Sequence, residues 1–276
     1  MDNKPVYPIL AKFVFDNTGI FYGERDYYRL DSRIDKIIRE LNLSSEDTLI
    51  EHIKSGHDQE VKAKIIDICT NNETFFFRDQ NPFNALKDDI LPDFIDQKRV
   101  PEINIWSCAC SSGQEPLSIL MTIFEKYPYQ NIKLDATDIS KTILEKAKSG
   151  IYNSLEAQRG LPIQNLIKYF QQVENNCWKA KPELLNKISY GEFNLFSNNY
   201  PKEKYHVIFC RNVLIYQNME NKNKILEKLY DSLVPGGYLI MGAGESLIGS
   251  SIELEQKSMA GTMVFKKKDA ANKAAA

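Results

Sequence analysis

The segment 103–116, INIWSCACSSGQEP, constrains the fold of this chain more than any other. It opens on Ile103, Ile105 and Trp106, with the bulk and alternation of a buried strand. It then turns small, through Ser107, Cys108, Ala109, Cys110, Ser111, Ser112 and Gly113, and closes on Glu115-Pro116. An apolar helical pattern follows at Leu117, Leu120, Met121 and Phe124. Strand, small-residue loop and helix start are how an α/β fold builds a nucleotide-type pocket at the carboxyl edge of its sheet. Gly113 can take a positive φ, and Pro116 suits a first helical turn. An ordinary βα turn has the same outline, so the segment predicts an α/β layer and leaves the ligand open.

The remaining pattern extends that layer on one side and departs from it on the other. Residues 132–136 form a second apolar strand ending in Thr137-Asp138, and Asp138 lies 25 residues past Gly113. An acid at that tip is where nucleotide folds hold ribose hydroxyls. A strong strand, 206–210, carries Arg211-Asn212 at its end; Pro235-Gly236-Gly237 turns into a strand at 238–242, and a strand at 261–265 is placed to pair with it antiparallel. Between 151 and 192 the βαβ rhythm breaks. Three short segments, near 170–173, 177–181 and 187–193, are expected to form a small antiparallel insert at about 168–193.

The first eighty-odd residues read as helical. Leu30, Ile34, Ile37, Ile38 and Leu41 make one apolar helical face, with Arg29, Arg33, Lys36 and Arg39 as a basic stripe beside it. That stripe is either a solvated face or a docking surface for an acidic helix. The expected division is a helical N-terminal domain at 1–90, a linker at 91–101, a catalytic α/β domain at 102–266 and a disordered tail at 267–276. In Asn71-Asn72-Glu73-Thr74-Phe75-Phe76-Phe77-Arg78-Asp79, three consecutive aromatics cannot share one helical face. Some must be buried, which holds the flanking polar groups rigidly.

Composition excludes several classes. The net charge of −2 gives no general pull toward nucleic acid or anionic membrane, and no window approaches the ~18 apolar residues of a membrane span. The start, MDNKPVYPILAKFVFD, lacks the pattern of a signal peptide. Five scattered cysteines fit a reduced, cytoplasmic protein. Cys108-x-Cys110 has no partner pair at zinc spacing and His52, His57 and His206 form no motif, so no metal is expected. A dinucleotide needs a glycine-rich loop around its pyrophosphate; this loop has one glycine and a carboxylate, Glu115, which repels phosphate. A cationic, phosphate-free ligand tolerates that acid, and S-adenosylmethionine is such a ligand. The closing antiparallel pair also fits the seven-stranded methyltransferase sheet.

Taken in order, NNETFFFRD, WSCACSSGQEP, ATDIS, FNLF, IFCRNVLIY and LVPGGYLIMGAGES closely resemble the chemotaxis-receptor methyltransferases, the CheR family, from about Phe13 to Phe265. The resemblance implies a Rossmann-like catalytic domain with a three-stranded insert behind a helical N-terminal domain. It implies S-adenosylmethionine as donor and a chemoreceptor glutamate as acceptor, giving a γ-glutamyl methyl ester, in a protein expected to be a monomer. By motif, Asn72, Thr74 and Arg78 would contact the cofactor or line the transfer site. Glu115 would face the methionine ammonium, Asp138 the ribose and Asn194-Leu195 the adenine. Arg211 and Asn212 would sit at the fourth-strand tip and Tyr216 near the transferred methyl, with Arg78 and Tyr216 as the catalytic pair. Whether Arg78 grips substrate or cofactor stays open. The family docks on acidic receptor helices through its N-terminal domain, which gives Arg29, Arg33, Lys36 and Arg39 that role. Some members capture a receptor pentapeptide on a glycine-containing turn of the insert; here the turns read Val173-Glu174-Asn175-Asn176 and Pro182-Glu183, which speaks against such tethering. The alternatives are a non-catalytic module that binds S-adenosylmethionine and a methyltransferase of another protein or a small molecule.

Overall fold

The computed structural model describes residues 4–56 and 58–269; His57 and the end of the expected tail, 270–276, lie outside them. Four α-helices lead: α1 (Val6–Thr18), α2 (Asp31–Glu40), α3 (Glu46–Ser55) and α4 (Gln59–Cys69), with a 3₁₀ stretch, Glu24–Leu30, before α2. The expected apolar face is buried: Leu30, Ile34 and Ile37 reach zero exposure within a core that also takes Leu10, Val14, Leu49 and Ile65. Ser45 caps α3 by accepting from the Thr48 amide, and Asp58 caps α4 through the amides of Glu60 and Val61.

This helical core ends at Cys69, short of the boundary expected at 91–101. Phe76, Phe83, Leu86, Leu91 and Phe94 pack into the core beneath the sheet instead. The expected linker is helical through Gln97: α5 (Asn81–Ala85) runs on through π turns at Leu86–Ile90 and Asp93–Gln97. Pro92 offers no amide hydrogen, and widened turns on either side of it keep Leu91 and Phe94 facing inward.

The large sheet has seven strands. They are β1 (Glu102–Cys108), β2 (Asn131–Asp138), β6 (Ile188–Glu192), β7 (Tyr205–Cys210), β8 (Leu233–Met241), β9 (Leu254–Met259) and β10 (Thr262–Lys267). Their order is β6-β2-β1-β7-β8-β10-β9, parallel except that β10 runs antiparallel to β8 and β9. Both faces are covered. Ile103 and Ile105 enter the core shared with α6 (Gln114–Lys126), while Trp106 and Cys108 enter the core shared with α11 (Met219–Ser232). This is the α/β, Rossmann-like class I methyltransferase fold with a helical region before it.

The insert is redrawn. Its three strands are β3 (Ile151–Asn153), β4 (Phe170–Val173) and β5 (Cys177–Ala180), in the order β3-β5-β4. Residues 188–192, expected there, pair parallel with β2 from Leu134–Ile188 to Asp138–Glu192. Ile188 is apolar and buried in the main core, so the chain satisfies it by completing the sheet edge. In the β4–β5 turn, Asn175 and Asn176 both take positive φ, 58° and 54°, a conformation asparagine tolerates better than most residues. The turn therefore reaches a glycine-like shape without glycine. Three short helices, α8 (Ser154–Gln158), α9 (Ile163–Tyr169) and α10 (Pro182–Leu185), frame the insert, and α7 (Lys141–Ser149) joins it to β2.

Lys266 and Lys267 are held more firmly than their composition suggests. Lys267, expected in a solvated tail, is 4% exposed. Its ammonium donates to the carbonyls of Tyr230 and Leu233, at the end of α11 and the start of β8. Lys266 pairs with Asp93 at 3.1 Å.

Candidate active site

The strand order reverses between β2-β1 and β1-β7, and a cleft opens at the carboxyl ends of these strands. Its free volume, including open solvent at the mouth, is about 960 Å³. It is lined by Ala109, Ser111, Asp138, Arg211 and Asn212 from the strand tips, and by Thr18 and Ile20 from the N-terminal helices. The sequence-predicted set of Asn72, Thr74, Arg78, Glu115, Asp138, Asn194, Leu195, Arg211, Asn212 and Tyr216 all lines this one cleft.

The loop after β1 is held in a strained shape. Ala109 and Ser111 have φ of 60° and 50°, and Gly113 has 90°. A Cβ at Gly113 would also stand about 3 Å from the hydroxyls of Tyr190 and Tyr152, so glycine is required by both conformation and space. The loop is fastened from three sides. The Ser111 amide donates to Asp138 Oδ2 at 2.8 Å, the Ser111 hydroxyl donates to the Asn72 carbonyl at 2.8 Å, and Tyr152 donates to the Ser112 carbonyl at 2.8 Å. Phe77, Asp79 and Asn212 also carry positive φ. Left-handed, non-glycine backbone thus clusters around the cleft, as it does at functional sites whose surroundings over-determine them.

Arg211 is the hub of the floor. Its side chain is 1% exposed. It reaches Glu115 Oε2 at 3.0 Å, Asp79 Oδ2 at 3.0 Å and the Arg78 carbonyl at 2.6 Å, with its guanidinium over the Phe83 ring. It therefore ties β7, the first turn of α6 and the NNETFFFRD turn together. Glu115 accepts on its other oxygen from the Ser107 hydroxyl at 2.8 Å. The Arg211 charge offsets that of Glu115, which weakens any cofactor argument resting on Glu115 alone. Asp138 is 6% exposed and accepts from the amides of Ser111 and Ser140. Burial pushes its carboxyl up, while the backbone N–H groups of Ser140, Ser111 and Ile139 pull it down. The Asn194 amide is committed to structure: it donates to the Asn17 carbonyl and accepts from the Phe196 amide. Leu195 and Phe193 offer the apolar surface beside it.

Tyr216 ends a short 3₁₀ turn, Leu214–Tyr216, and its phenol oxygen accepts from the Asn71 side chain at 2.6 Å. The phenol proton is left to donate elsewhere. Sequence reasoning missed what holds this turn. Glu245 accepts from the amides of Val213, Leu214 and Ile215 on Oε1 and of Asn212 and Gly242 on Oε2, at 2.7–3.3 Å. The available signal was an acid after Gly242-Ala243-Gly244 at a strand end, the composition of an anion facing bare amides. Also missed were Asn71, Gln217 and Ser111, all lining the cleft.

The basic stripe lies on the N-terminal helices, outside the cleft lining. Arg29 and Arg33 lie over the Tyr22 ring, and Arg33 donates to the Ile68 carbonyl, two residues before Thr70 at the cleft. Lys36 pairs loosely with Glu40 at 3.7 Å, and Arg39 is exposed.

The lining fits S-adenosylmethionine. A buried carboxylate held by amides suits ribose hydroxyls, and Phe193 and Leu195 suit an adenine face. Two buried polar atoms of the lining are unpartnered, the Gln217 Oε1 acceptor and the Arg211 Nε donor. Bound there, the cofactor supplies an electrophilic methyl group on a sulfonium.

Comparison with known proteins agrees with this reading. Residues 72–263 match the family model described as CheR methyltransferase, SAM binding domain. The chain is 38% identical over 237 residues to chemotaxis protein methyltransferase Cher2 of Pseudomonas putida, covering 84% of this chain and 86% of the relative. It is 35% identical over 267 residues to a chemotaxis protein methyltransferase of Vibrio parahaemolyticus, covering 95% and 96%. A third relative, chemotaxis protein methyltransferase 1 of Pseudomonas aeruginosa, is 36% identical over 247 residues, covering 87% and 90%. A cleft at the switch point of a seven-stranded sheet, lined by the motifs these relatives match, thus places the chain in the CheR methyltransferase family, as an S-adenosylmethionine-dependent methyltransferase of chemotaxis.

Proposed function

We propose that the acceptor is the side-chain carboxylate of a glutamate on a chemoreceptor. One observation carries this: the cleft is lined by no histidine, lysine or cysteine, and its three acids, Glu73, Glu115 and Asp138, are each bound to neighbours. No group is placed to deprotonate an acceptor. An alcohol or ammonium acceptor would need one; a glutamate, with an ordinary pKa of about 4.3, arrives as the nucleophile. The protein's work is alignment and water exclusion, which together are worth roughly 7–11 kcal/mol. Arg78, whose guanidinium donates to the Glu73 carbonyl at 3.1 Å, is held at the cleft wall to orient charge, and Tyr216 points a fixed phenol at the same space. The test is transfer of a tritiated methyl group to receptor-bearing membranes, scored for base-labile ester. Label stable to base would defeat the proposal.

In the same assay Arg78→Ala is expected to lower transfer by about 100-fold, the scale of a lost orienting group, while calorimetry shows cofactor affinity changed by less than about fivefold. Equal loss of both would make Arg78 a cofactor ligand only. Docking through the basic stripe is tested at its most exposed members. Lys36→Glu with Arg39→Glu should weaken receptor methylation several-fold at low salt and converge with the unaltered protein near 0.5 M salt, where the screening length is about 4 Å. A salt-independent defect, or none, would make the stripe plain surface.

A further inference from the structure

Just outside the cleft lining, a residue of the insert faces the NNETFFFRD turn. Arg159 follows α8, and its guanidinium lies 4.5 Å from the centroid of the Phe75 ring, with that of Arg78 5.6 Å from the same centroid. Its Nη2 meets Glu73 Oε1 at 2.7 Å, and Glu73, Phe75 and Arg78 all line the cleft. The position of Arg159 is built. At Gly160, φ is +87° and a Cβ would stand 2.0 Å from the Phe76 carbonyl oxygen, so the Arg159-Gly160 backbone lies directly on the turn. Phe76 is wedged against Tyr152 and Phe170 of the insert, at 5.0 and 5.7 Å between ring centroids. Yet the Arg159–Glu73 pair is 54% and 58% exposed, so it contributes little to stability. Such close backbone docking for a weak pair calls for another use of the guanidinium. Arg159 and, more distantly, Arg78 also hold the Glu73 carboxyl below its usual range.

We infer that Arg159 receives the carboxylate of the acceptor glutamate, and that Glu73 occupies it until the acceptor arrives. The inference rests on the acceptor proposed above. The contact engages one carboxylate oxygen, and an acceptor held the same way keeps the other oxygen for reaction. That oxygen forms the new C–O bond as the methyl–sulfur bond breaks, with the electron pair staying on sulfur; no proton moves. The acceptor loses its negative charge and Arg159 loses its partner, so Glu73 re-forms the pair as the ester leaves.

The experiment measures initial rates of base-labile methylation against receptor concentration with the full chain. Arg159→Gln is expected to raise KM for receptor about tenfold, with kcat and calorimetric cofactor affinity within about threefold; Arg159→Lys falls between. Glu73→Gln removes the competitor and should lower KM. An unchanged KM for Arg159→Gln, or a Glu73→Gln defect matching it, would overturn the inference alone. If the unaltered protein yields no base-labile label, the acceptor proposal falls and takes this inference with it.

Discussion

Arg211→Ala is expected to destabilise the protein by about 3–5 kcal/mol, the cost of removing one partner of a buried ion pair. The geometry explains the size. The guanidinium is 1% exposed and meets two carboxylates and one carbonyl, so its loss strands Glu115, itself only 13% exposed, beside an unpaired Arg78 carbonyl. Arg211→Lys should recover only part of this, since one ammonium cannot span three acceptors spread over two elements. Replacing both partners, Arg211→Met with Glu115→Leu, should restore much of the stability while abolishing cofactor binding. Urea unfolding and calorimetry on the three variants separate the two roles. A loss below about 1 kcal/mol for Arg211→Ala would show that the pair is dispensable.

The second large effect is expected at Glu245, which accepts from the amides of Gly242 and of residues 212–215. Glu245→Ala leaves five backbone amides without their acceptor. Each charge-assisted bond is worth about 1.5–3 kcal/mol, but the site is half-exposed and water replaces part of the loss, so the net cost should be about 2–4 kcal/mol. Activity should fall further than stability predicts, because the freed segment carries Asn212 and Tyr216. Glu245→Gln is the sharper probe. Its amide oxygen can serve the three amides now on Oε1, while its NH₂ opposes the two donors on Oε2. It should therefore lie midway in stability and still lose transfer. Full activity in Glu245→Gln would mean that the Asn212–Tyr216 segment is placed by something else.

How far the sequence could be read varied by element. The helix at Asp31–Glu40 and the strands at Glu102–Cys108 and Tyr205–Cys210 announced themselves through periodicity, because each buries a regular face. Residues 188–192 were misplaced because their pairing with β2 bridges some fifty residues, and a short edge strand bears no mark of its partner. Lys267 looked like tail because burial of a lysine is legible only once the carbonyls of Tyr230 and Leu233 are in place around it. Glu245 carried a local signal, an acid after a glycine-rich turn, but four of the five amides it meets lie about thirty residues away.

The sequence by itself determined the chemistry available: a small-residue loop after a strand, an acid at the next strand tip, and no general base among the motifs. Local patterns suffice for that, since each depends on neighbours within one or two turns of chain. Tertiary structure alone decided how those groups are spent. Glu115 gives its charge to Arg211, Asn194 gives its amide to Asn17, and Arg159 comes to face Glu73 from 86 residues away. The physical reason is that a buried or crowded polar group takes its meaning from its partners, and long-range packing selects those partners.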